Sequence, residues 1–76
     1  MKVLTVVSRK GNTVCLDFDA WERTGEIVEV PGVTVPLFNA LVEVPSLRSV
    51  IGIPGEQRFR IEARAAGYTV LRNTPD

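Results

Sequence analysis

The chain has 76 residues, 45% hydrophobic and 24% charged, which is the balance of a folded chain and leaves room for one domain only. Nine basic residues offset nine acidic ones, and the sequence holds no histidine and one cysteine. The zero sum removes a whole-chain electrostatic footprint for nucleic acid, and the missing imidazoles and paired thiols exclude a structural zinc site and an internal disulfide.

In chain order, Val3 to Val7 is apolar at every position but Thr5, which predicts a central strand covered on both faces. These five residues are too few for the apolar core of a signal peptide, and Ser8-Arg9-Lys10 ends the run. No apolar stretch approaches the roughly 20 residues that span a bilayer. With a single cysteine, the expectation is a cytoplasmic chain that does not enter a membrane. Arg9-Lys10-Gly11-Asn12 predicts a hairpin turn with glycine in the left-handed region. The next run, Thr13 to Asp19, alternates so that Val14, Leu16 and Phe18 face inward while Cys15, Asp17 and Asp19 face water. Ala20 to Gly25 suits a helical turn capped by Asp19.

Glu26 to Val30 reads as a short β run closed by Pro31-Gly32, and Val33 to Val44 as a longer one interrupted by Pro36. A proline there implies an edge, a bulge or a kink. Pro54-Gly55 marks another turn. From Arg58 to Arg64 a charge stands at every second place, which predicts a strand with Phe59, Ile61 and Ala63 inward and Arg58, Arg60 and Arg64 outward. A helix over 56–66, ended by Gly67 and followed by a strand from Tyr68 to Leu71, is the competing reading. It puts Phe59, Ala63 and Ala66 on one face but strands Ile61 and Ala65 on the other.

The fold expected is therefore mostly β: one small antiparallel domain over residues 1–72, a five- to seven-stranded barrel or curled sheet with at most one short helix, and a frayed tail at 73–76. The alternative is an α+β domain with a helix near 56–66.

Reaction chemistry is hard to find. No glycine lies in a phosphate-cradling pattern, Ser8, Ser46 and Ser49 have no histidine to activate them, and Cys15 stands near carboxylates that raise a thiol's pKa. Asp17 and Asp19 could share a hard cation, yet read more simply as a solvated face. The expectation is no enzyme, no metal and no cofactor.

Binding is what remains, and charge is not spread evenly. Residues 17–29 carry five carboxylates against Arg23, whereas 48–72 carry five arginines against Glu56 and Glu62. Arg58, Arg60 and Arg64, joined by Lys10 or Arg9 from the hairpin tip, would form a basic face able to dock on an acidic protein or follow a nucleic-acid backbone. Trp21 reads as a lid on the core or as an interface anchor. Leu37 and Leu41 would point outward from an edge strand and suit strand addition or dimerisation. The sequence thus predicts a non-enzymatic protein-binding module, an adaptor, subunit or stoichiometric inhibitor, whose partner is another protein or itself; a nucleic-acid-binding small barrel is the alternative.

Overall fold

A computed structural model describes residues 1–33 and 47–70. Strand β1 (Lys2–Val7) runs into the loop of residues 8–12 and returns as β2 (Thr13–Asp17), with Leu4 opposite Leu16 and Val6 opposite Val14. The loop closes through Ser8 N–H to the Asn12 carbonyl at 2.8 Å and Gly11 N–H to the Ser8 carbonyl at 2.9 Å, Gly11 taking φ +87°. A two-residue strand β3 (Arg48–Ser49) lies parallel to the start of β1, and a second, β4 (Thr69–Val70), lies antiparallel to its end. Both occupy the edge of β1 opposite β2. Residues 28–30 add a single bridge outside β2, Glu29 facing Leu16.

Among the described residues the result is a mixed, open four-stranded sheet with two helices, so the expected antiparallel barrel with at most one helix is not confirmed and the alternative, an α+β domain with a helix near 56–66, fits better. Helix α1 (Phe18–Thr24) starts where β2 was expected to continue, because the Asp17 side chain accepts from Ala20 N–H at 3.0 Å and caps it. The cap is therefore Asp17 and not Asp19. Helix α2 (Glu56–Ala65) replaces the expected strand. Its ion pairs Glu56–Arg60 and Arg58–Glu62, each 3.0 Å, sit at the four-residue spacing that a helix brings together. It ends in a Schellman motif, with Tyr68 N–H bonding the Ala63 carbonyl and Gly67 N–H the Arg64 carbonyl while Gly67 takes φ +102°.

Alternation along β1 and β2 then sends side chains into two cores. Leu4, Val6, Val14 and Leu16 meet Phe18, Val50, Phe59 and Ala63 beneath the helices, where the Phe18 and Phe59 rings cross at 85° with centroids 5.2 Å apart. On the opposite face Val3 and Cys15 pack with Val33, flanked by Val30 and Leu47. Cys15 is only 1% exposed, so β2 is dry on both sides, contrary to the expected wet face. The central, doubly covered β1 is as expected.

The Asp17 cap predicts a graded response. Asp17→Ala should cost about 1 kcal/mol in urea unfolding, as the loss of a capping side chain typically does, while Asp17→Asn, which can still accept from Ala20, should stay within a few tenths of the parent.

Candidate functional site

Helix formation redistributes the arginines expected on one face. Arg60 is only 9% exposed, its charge met by Glu56. Glu56 also accepts from Gly52 N–H at 2.9 Å, so this pair fastens the 50–55 loop to the start of α2. Arg58 is exposed but paired with Glu62. Arg64 is exposed in the last turn. The continuous basic stripe of Arg58, Arg60 and Arg64 does not exist.

What the outer side of α2 offers instead is Ile61. Expected inside, it is 63% exposed, because positions 59 and 63 face the core and 61 falls across the helix from them. Gln57, Arg58, Arg64 and Ala65 around it are exposed too. A lone exposed aliphatic is ordinary; one at the centre of a helix face with two arginines beside it is a shape a partner can grip.

Trp21 takes the lid role. It is half-buried, its ring centroid lying 4.9 Å from Phe59 and 5.4 Å from Phe18. Its indole N–H donates to Glu62 at 2.8 Å, tying α1 to α2. The Pro54-Gly55 turn approaches here: a Cβ on Gly55 would come 3.4 Å from the Phe18 ring, and φ is +94°. Trp21, Glu22, Pro54, Arg58 and Glu62 line a shallow cleft of about 460 Å³.

Lys10 is exposed on the β1–β2 loop. With Arg9 it joins a different cleft of about 360 Å³, formed where the β1–β2 loop meets the end of α2. The register Val7 opposite Thr69 brings Tyr68 alongside this loop. Tyr68 is half-buried, and its hydroxyl donates to Glu29 at 2.8 Å across β1 and β2. Burial, together with that bond and the Glu29 charge, pushes the phenol above its ordinary pKa, with Arg9 opposing. Arg9, expected at the hairpin tip within reach of the later arginines, is thus part of a cluster created by long-range pairing.

Leu37 and Leu41 lie outside the described residues. Asp17 and Asp19 do not form a cation pair, since Asp17 caps α1 and Asp19 accepts from Lys2 N–H at 3.1 Å. Among the described residues no group of three or more His, Cys, Asp or Glu is placed to hold a metal ion. Burial pushes the Cys15 thiol up from its ordinary value, against a weaker opposing contact with Thr5 3.7 Å away; this is the environment of an inert thiol. No described helix is long and apolar enough to cross a membrane. No family model matches the chain, and no curated protein or solved structure is significantly similar to it.

The lid carries a pH signature. The Trp21 indole, and after it Arg58, holds Glu62 below the usual carboxylate range, and the Gly52 amide, with Arg60, does the same for Glu56. A carboxylate depressed in the folded state contributes stability that is present above its unfolded pKa and lost as pH falls through the folded value. Trp21 emission should therefore change in a step on the acid side of free glutamate, and Glu62→Gln should remove that step in a fluorescence titration.

Proposed function

We propose that this chain is a non-enzymatic protein-binding module that docks through the outward face of α2, with Ile61 as the apolar centre and Arg58 and Arg64 beside it. The observation that carries this reading is the exposure of Ile61 at 63% on a helix whose other large apolar side chain, Phe59, is fully buried. An apolar contact surrounded by arginines suits a partner that presents a small hydrophobic depression rimmed by carboxylates. A second copy of the chain suits it poorly, because α2 against α2 would set Arg58 and Arg64 beside their own kind. Stoichiometric inhibition, an adaptor role and a structural subunit are all uses of such a face.

Nucleic-acid binding draws less support. Its basis was a stripe of Arg58, Arg60 and Arg64 continuing to Lys10, and α2 disperses that stripe, burying Arg60 and pairing Arg58 with Glu62.

The test uses the immobilised chain, its Ile61→Asp variant and its Arg64→Glu variant against extract from the source cell. A protein retained by the parent after nuclease treatment, and lost from both variants at unchanged far-UV circular dichroism, is the expected result. Equal retention by the variants, or loss on nuclease treatment, overturns the reading.

A further inference from the structure

The cleft between the β1–β2 loop and the end of α2 sets two exposed cations, Arg9 and Lys10, against one carboxylate, Glu29. Among the described residues, Arg58 and Arg60 are taken up by carboxylates, but neither Arg9 nor Lys10 makes a side-chain hydrogen bond or an ion pair. Arg9 is nevertheless placed closely. Its guanidinium lies against Gly67 where any larger residue would project, so that a Cβ at Gly67 would overlap its Nε and Nη2 atoms. Gly67 therefore serves twice, closing α2 with a positive φ and leaving room for the guanidinium.

A guanidinium presents five N–H donors in a planar fork and has no acceptor of its own. Held in a cleft with its donors unused, beside a lysine, it is suited to an oxyanion, which it can take with two parallel bonds. Glu29 adds a constraint at the same cleft. One of its oxygens accepts from the Tyr68 hydroxyl, and its negative charge repels an anion from that side. An oxyanion is thereby confined to the Arg9 and Lys10 end, while Glu29 can accept a hydroxyl or amino group from the rest of the ligand. The cleft, about 360 Å³, falls at the lower end of the range for small-molecule sites.

We propose that this cleft binds a small phosphate monoester, with Arg9 and Lys10 holding the phosphoryl oxygens and Glu29 accepting a donor from the organic part. Phosphate is preferred to carboxylate because two cations line the one cleft, and a near-dianion can answer both. The site is separate from the α2 face and stands or falls without it.

Inorganic phosphate is the first probe, followed by amide chemical shifts of the isotope-labelled chain, with sodium acetate at matched ionic strength as the second arm. The expected result is saturable movement of the Ser8–Asn12 and Gly67–Tyr68 amides with phosphate and little with acetate. Arg9→Gln should weaken phosphate binding at least tenfold, and Glu29→Gln, which keeps an oxygen for Tyr68 but removes the repelling charge, should strengthen it severalfold. The dispersion of the same spectra reports that each variant is folded. Shifts that fail to saturate, or binding unchanged in Arg9→Gln, overturn the site; acetate binding as tightly as phosphate overturns the phosphate assignment.

Discussion

Strand β1 is covered above and below and hydrogen-bonded along both edges, and every other element takes its position from that fact. Leu4 and Val6 point toward the helices, Val3 and Thr5 toward the other face, and all four are buried. At this size a chain can bury only about 60% of the surface it exposes when unfolded. Using both faces of the central strand is how so short a chain assembles a core around side chains as large as Phe18 and Phe59. It also explains the brevity of β3 and β4, since each needs only two residues to complete its share of one edge.

The helices follow from the same economy. One face of the sheet is closed by an aromatic cluster, Phe18, Trp21 and Phe59, contributed by α1 and α2, and each ring contact is worth about 0.5–1.5 kcal/mol beyond the area it buries. Polar groups then lock the arrangement where water still reaches. Trp21 to Glu62 joins the two helices, and Glu56 joins α2 to the preceding loop. These bonds sit at the rim of the core, so the helix faces beyond them are free of internal duty. That is why Ile61 and Arg64 are left exposed.

Much of the sheet was legible in the sequence. Val3 to Val7 announced a strand buried on both sides, and the turns at 9–12, 31–32 and 54–55 all form, with glycine at positive φ in each. Residues 56–65 were not legible by alternation, because Arg-Phe-Arg-Ile-Glu-Ala-Arg satisfies period two as well as any strand. The deciding signals were subtler: the carboxylate–arginine spacings 56/60 and 58/62, and Gly67 after an alanine-rich stretch. Arg60 and Ile61 went against the usual sorting of charge outward and aliphatic inward, since a neutralised arginine stem can be buried and a helix of ten residues has more than one outer side. The Arg9–Lys10–Tyr68 cleft could not be read at all. It exists because residue 69 pairs with residue 7, and nothing local records a contact of that separation.

The sharing of the β1 edge has a consequence for how the chain is made. Residues 2–7 are synthesised well before residues 69 and 70, which close the Val6 and Val7 end of their outer edge. Until those emerge, the ladder groups of Val6 and Val7 on that side have no partner in β4. A nascent chain can form the β1–β2 hairpin early, but the β1–β4 pairing waits until residues 69 and 70 are out. Contacts of such long range slow folding and leave an unpaired strand edge open to other chains in the interval. For this molecule the vulnerable moment is the wait for β4.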